Sequence, residues 1–168
     1  MRVTVLIGKV GLDGHDRGAR VLTEALRREG FDARFSGVRR TPKQIAAQAV
    51  ALQADCVGLS SHVNTHLAWF PKVSAELRKA GWNGSLIGGG IIPEEDVPAL
   101  LNAGLDTVFP QSASAVEIAS AIRRFVAEKH AFVRYEEGVS SPSPSSIEPS
   151  ERGIIHAATN ASAASTIP

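Results

Sequence analysis

Apolar residues in this chain fall at two spacings, short unbroken runs and helical repeats, and the two alternate from the first residues to about position 126. Val3, Val5, Leu6 and Ile7 predict a short buried strand over 3–8, and the repeat through Ala19 and Leu26 predicts a helix over 18–29. Gly30 stands where a helix C-cap belongs. Phe31, Ala33 and Phe35 alternate with polar residues as a second, more exposed strand would. Thr41-Pro42 opens the next helix, threonine as N-cap and proline in the first turn, with Ile45, Ala46, Ala49, Val50 and Leu52 on its buried side. Residues 55–60 predict a third strand, followed by the polar loop Ser60-Ser61-His62-Val63-Asn64-Thr65-His66 and a helix to about Lys79. Ser85-Leu86-Ile87 predicts a fourth strand ending in Gly88-Gly89-Gly90. Pro93-Glu94-Glu95 begins a helix that closes near Asn102 and Gly104, Thr107-Val108-Phe109 a fifth strand, and Ser114 to Val126 the last helix.

Strands alternating with single helical connections predict an α/β fold, a parallel sheet covered on both faces. The expected architecture is a flavodoxin-like (Rossmann-like) five-stranded parallel sheet of order 2-1-3-4-5, within a domain over residues 1–130. In that order the loops after the first and third strands flank the point where the chain reverses direction across the sheet. From Gly138 the chain turns to serine, proline and alanine, and 138–168 is expected to be a disordered tail, because such a segment buries too little apolar surface to offset its ordering entropy.

Composition narrows the function classes. A formal net charge of +1 gives no electrostatic case for nucleic acid or an anionic membrane. No apolar run approaches the ~20 residues of a membrane helix, and the chain enters a strand at once, without a signal-peptide pattern. The single cysteine, Cys56, excludes an intrachain disulfide framework and reads as a buried, inert thiol in a reducing compartment, with the cytoplasm as the expected location.

The chemistry concentrates in Gly11-Leu12-Asp13-Gly14-His15-Asp16-Arg17-Gly18-Ala19, the loop after the first strand. An imidazole that binds a metal through one nitrogen usually gives its other N–H to a carboxylate, and Asp13-x-His15 supplies that pair. Other roles are open at each position. Lys9 suits an ordinary strand end, Asp16 and Arg17 an exposed ion pair, and Gly18 a helix that starts close to the sheet. His62 and His66, four residues apart, invite a zinc reading, but no third ligand lies near them in the sequence, and solvent-facing or helix-start roles suit them better.

Asp13-x-His15-x-x-Gly18, followed in order by Ser60 and by Gly89-Gly90, resembles the cobalamin-binding domain of adenosylcobalamin-dependent mutases. The longer string from Lys9 to Ala19 resembles the acyl-CoA mutase branch, the methylmalonyl-CoA mutase family, and the resemblance spans roughly residues 2–127. It implies that cobalamin binds with its dimethylbenzimidazole detached from cobalt and that His15 takes the lower axial position. Asp13 would then hold the other ring nitrogen of His15, and Lys9 would pair with Asp13. The resemblance also implies a slot for the displaced nucleotide tail, entered past Gly18, Ser60, Ser61, Gly89 and Gly90, and places Gly14, Asp16 and Arg17 near the corrin or a partner subunit. Two blocks depart from the family pattern, Ser60-Ser61-His62 in place of Ser-x-Leu and Pro110-Gln111-Ser112 in place of Gly-Pro-Gly. Both lie along the expected slot.

By the same resemblance, acyl-CoA mutases carry out their chemistry in a (β/α)8 barrel of ~250 residues. The expected role is therefore the small, cobalamin-binding subunit of an adenosylcobalamin-dependent acyl-CoA mutase, inactive without a large acyl-CoA-binding subunit and forming a hetero-oligomer with it. A corrinoid carrier for methyl transfer and a cobalamin sensor without mutase activity are the alternatives.

Overall fold

The computed structural model describes residues 2–136; the serine- and proline-rich tail expected at 138–168 lies outside them. Each apolar run becomes a strand: β1 (Thr4–Gly8), β2 (Asp32–Phe35), β3 (Cys56–Ser61), β4 (Ser85–Gly90) and β5 (Thr107–Phe109). All neighbours pair in parallel in the order β2-β1-β3-β4-β5. This is the flavodoxin-like sheet expected. The helices are α1 (Arg17–Arg28), α2 (Pro42–Ala51), α3 (His66–Lys79), α4 (Val97–Asn102) and α5 (Ala115–Glu136).

Strand alternation sends successive side chains to opposite faces. Leu6, Val57, Leu59 and Leu86 join Ile45 and Ala49 of α2, Phe70, Val73 and Leu77 of α3, and Leu100 of α4 on one face. Val5, Ile7, Cys56 and Ile87 join Ala19 and Leu26 of α1 and Ile118, Ala119, Ile122 and Val126 of α5 on the other. Cys56 is buried there, and burial, with Asp106 and Asp55 nearby, pushes its thiol pKa up, as an inert thiol requires.

Local chemistry sets the boundaries. Thr41 caps α2 with a full capping box: its hydroxyl accepts from Gln44 N–H while Gln44 Oε1 accepts from Thr41 N–H. Gly30 adopts φ +92° just beyond α1, where Glu29 is the C-cap. The Pro93-Glu94-Glu95 segment forms a single 3-10 turn, Glu94–Asp96, and α4 starts only at Val97, with Pro98 in its first turn. The last helix runs ten residues further than the Ser114–Val126 reading, to Glu136. Gly88-Gly89-Gly90, read as the end of the fourth strand, pair fully with Leu59, Ser60 and Ser61 of β3.

Because β1 leads to α1 on one face and β3 leads to α3 on the other, the two loops part above the sheet. A crevice opens between them at the strands' carboxyl ends, the usual ligand position in such sheets.

Candidate functional site

The β1–α1 loop is built around Asp13. Its carboxylate is buried, with 1 % side-chain exposure, and every contact to it is a donor. Oδ1 accepts from the backbone N–H of His15 at 2.9 Å and faces His15 Nδ1 at 3.1 Å. Oδ2 accepts from the Lys9 ammonium and, at 2.9 Å, from the backbone N–H of His62 on the β3–α3 loop. Burial by itself raises a carboxyl pKa; here the Lys9 ammonium, the two N–H donors and the His15 ring outweigh it and hold Asp13 at about 2. An ionised carboxylate at Nδ1 fixes the proton there, which leaves the lone pair on Nε2. The His15 side chain is 62 % exposed, so Nε2 is open to a ligand.

Lys9 is fully buried, an environment that an ordinary strand-end lysine would avoid. Asp16 pairs with Arg20 at 2.5 Å along the exposed start of α1 and makes no side-chain cap. Gly11 adopts φ +74°, and a Cβ there would lie 2.6 Å from Trp69 Nε1, so the loop rests on the α3 indole and only glycine fits.

Beside His15 a cavity of about 730 Å³ runs down between the sheet and helices α1 and α5. Cross-strand register shows how its floor is paved. Ile7, Gly58 and Ile87 form one row across β1, β3 and β4, and Ser60, Gly89 and Phe109 form the next across β3, β4 and β5. Gly58 and Phe109 escaped the sequence reading of the site; the signal for Gly58 was alternation with Ser60 in β3, while Phe109 joins the row only through the register of β5 with Gly89.

Six of the expected residues meet at this cavity through side chains or the lack of them: Lys9, Gly14, His15, Gly18, Ser60 and Gly89. A Cβ at Gly18 would meet nothing within 4 Å, so this glycine does not bring α1 close to the sheet; it leaves space. A Cβ at Gly89 would touch only Phe109, 3.5 Å from its carbonyl oxygen. Asp16 and Arg17 line the outer part. Ser61 and Gly90 border the cavity but turn to the other face. Ser61 follows Ser60 in the strand and has a buried hydroxyl without a hydrogen-bond partner. Gly90 adopts φ +112°, and a Cβ there would fall 2.0 Å from the Ser61 carbonyl oxygen. Gly88 faces that side too, beneath Leu105 and Phe70.

The two other histidines separate. His62 is exposed and its ring leans on His15 in a tilted pair, centroids 4.5 Å apart and planes 34° apart. His66 starts α3 as a helix-start reading requires, but it is fully buried rather than solvent-facing, with Nε2 2.7 Å from Asp96 Oδ2. Among the described residues no group of three or more His, Cys, Asp or Glu side chains stands ready for a metal ion. Pro110 and Gln111 line the cavity's far side. No described helix is long and apolar enough to cross a membrane.

The model of the B12 binding domain matches residues 3–120. The 2-hydroxyisobutanoyl-CoA mutase small subunit of Aquincola tertiaricarbonis is 38% identical over 130 residues, covering 77% of this chain and 96% of that protein. Ethylmalonyl-CoA mutase of Cereibacter sphaeroides is 41% identical over 104 residues, covering 62% of this chain but 16% of its own length. The methylmalonyl-CoA mutase large subunit of Streptomyces virginiae is likewise 41% identical, with 15% of its length covered. Among solved structures, a cobalamin-binding protein from Desulfitobacterium hafniense superposes with a TM-score of 0.64 at 21% identity, over 74% of this chain and 59% of that one. A receiver domain from Vibrio parahaemolyticus gives the same TM-score at 11% identity, which is a likeness of fold alone.

Proposed function

The chain belongs to the B12-binding domain family, and from that premise we propose that it is the cobalamin-binding small subunit of an adenosylcobalamin-dependent acyl-CoA mutase. The observation that carries the reading is the Lys9–Asp13–His15 relay at the mouth of the cavity. Cobalamin would be held base-off, with His15 Nε2 as the protein group that would bind its cobalt. The donor set suits that role: an open imidazole nitrogen whose opposite N–H is held by an ionised, buried carboxylate. Asp13 fixes the tautomer and raises the donor strength of Nε2, while Lys9 balances the carboxylate's charge. The cavity over Gly58, Ser60 and Gly89 accepts the detached nucleotide tail, and Gly18 keeps its α1 wall open.

Adenosylcobalamin supplies radical chemistry through homolysis of its cobalt–carbon bond. The residues of this chain bind and orient the cofactor; the acyl-CoA ester and the protection of the radical belong to a large subunit, with which the chain forms a hetero-oligomer. Coverage of 96% of a protein designated a mutase small subunit supports that division of labour. A buried lone cysteine suits a cytoplasmic setting.

Electron paramagnetic resonance of the protein loaded with cob(II)alamin and nitrogen-15-labelled histidine tests the ligation. The expected spectrum carries imidazole superhyperfine splitting that His15→Ala abolishes, and a splitting unchanged by that variant overturns the assignment. The division of labour is tested by assaying the chain alone, then with a mutase large subunit, against branched and linear acyl-CoA esters. Turnover is expected only from the pair. Turnover by the isolated chain overturns the subunit reading, and failure with every large subunit points to a carrier or sensor.

A further inference from the structure

His62 is absorbed neither by the relay nor by the cavity floor, and it stands where the family pattern has leucine. Its peptide unit is fixed at both ends. The Ser61 carbonyl accepts from Ile91 N–H at 3.0 Å, and the His62 N–H donates to Asp13 Oδ2 at 2.9 Å. The peptide plane that leads into His62 is thus anchored to Ile91, just past β4, on one side and to the buried carboxylate on the other. From that anchor the ring lies against His15, with centroids 4.5 Å apart.

His15 needs such a neighbour. Among the described residues its ring makes one hydrogen bond, Nδ1 to Asp13 Oδ1, and its side chain is 62 % exposed. One hydrogen bond fixes a point on the ring but leaves the plane free to pivot about it. The residues on either side supply no wall: Gly14 has no side chain, and Asp16 turns away to Arg20. The His62 ring, 4.5 Å away and tilted 34° to it, leans on His15 and restricts that pivot, and aromatic pairs at this centroid separation are favourable beyond simple area burial.

We infer that His62 is a positioning residue for the axial imidazole, a plate whose ring face sets the plane of His15 while its backbone N–H helps hold Asp13. The inference rests on His15 being the cobalt ligand. It requires the aromatic face of residue 62 and not its ring nitrogens, so phenylalanine should replace it and alanine should not. Neither substitution touches the peptide clamp, because the N–H and carbonyl involved belong to the backbone.

The experiment uses the whole chain loaded with cob(II)alamin as wild type, His62→Ala, His62→Phe, His15→Ala and the double variant His15→Ala/His62→Ala. The thermal midpoint of each checks that the fold is intact. Wild type and His62→Phe should share sharp imidazole superhyperfine lines and affinities within about twofold of each other. For His62→Ala the expectation is broadened lines and cobalamin binding weaker by roughly three- to tenfold, the range of a lost aromatic pair. Lines and affinity unchanged in His62→Ala overturn the inference while leaving His15 as ligand. Equal damage in His62→Phe also overturns it, since the nitrogens and not the face would then matter. Imidazole splitting that survives His15→Ala and disappears in the double variant makes His62 itself a ligand, which overturns the plate. A wild-type spectrum without imidazole splitting removes the ligation reading and the inference together.

Discussion

On the α2/α3 face of the sheet, side chains meet up to the carboxyl ends of the strands, with Leu105 and Phe70 closing over Gly88. On the α1/α5 face, the buried side chains end at Ile7, Ile87 and Ile118, with Phe109 only partly buried above them where the cavity begins. The two faces carry glycines within one short strand, yet those glycines answer different demands. Gly88 and Gly90 are small because protein already occupies the space a Cβ would take. Gly89 and Gly18 are small where protein leaves space free. A glycine's neighbours, and not its place in a motif, therefore distinguish packing from ligand access.

The contrast breaks most visibly at Gly90. Alanine there combines φ +112° with a Cβ 2.0 Å from the Ser61 carbonyl oxygen, a backbone atom that itself accepts from Ile91 N–H. Gly90→Ala should cost roughly 3 kcal/mol in urea unfolding. A loss under ~1 kcal/mol would show that the strand end yields.

Asp13 gives the next effect, on the cavity side. Its folded pKa of about 2 lies below the ordinary carboxyl value near 3.8 of the unfolded chain, so it contributes stability that is complete above pH 4 and is lost as pH falls through 2. The amount is about 2 kcal/mol. Acid unfolding of wild type should show that loss between pH 4 and 2. In Asp13→Asn this part of the pH dependence should vanish, leaving a chain that is less stable at neutral pH with Lys9 buried and unpaired. Parallel profiles for the two proteins would mean that Asp13 does not titrate there.

The smallest effects make the sharpest contrast. Gly88→Ala forces Leu105 Cδ2 away from 2.8 Å and should cost about 1 kcal/mol, with cobalamin affinity nearly unchanged. Gly18→Ala meets nothing within 4 Å and replaces glycine in a helix, so it should stabilise the fold by up to ~0.5 kcal/mol. It should weaken cobalamin binding severalfold all the same. Thermal melts and cobalamin titrations of the two variants should show opposite orders of stability and affinity; matching orders would erase the distinction between the faces.

Element order, strand pairing and the Asp13–His15 pair were legible in the sequence because each rests on local spacing or on the alternation of strands and helices, whereas the place of Lys9 behind Asp13 came from the family resemblance. Partners chosen across the fold were not legible. His66 finds Asp96 thirty residues away, and nothing in its surroundings in the chain marks it as buried. Ser60 and Ser61 read as one block, but only the register of β3 with β4 reveals that they serve opposite faces. The end of α5 was missed because its apolar repeat thins after Val126, while the helix goes on past Lys129, which reaches Asp106 at the base of the sheet. His62 is the hardest case, since its contacts depend on two loops folding beside each other.

Asp13 also links the timing of those loops. The amides of His15 and His62 lie in exposed turns 47 positions apart in sequence, yet both donate to the same buried carboxylate. An amide bonded in this way exchanges its hydrogen with water only when the acceptor lets go. The two should therefore exchange slowly and at matched rates, while neighbours such as Gly14 and Val63 equilibrate quickly. Two distant loops would open as one unit, at the rate at which a single carboxylate releases both.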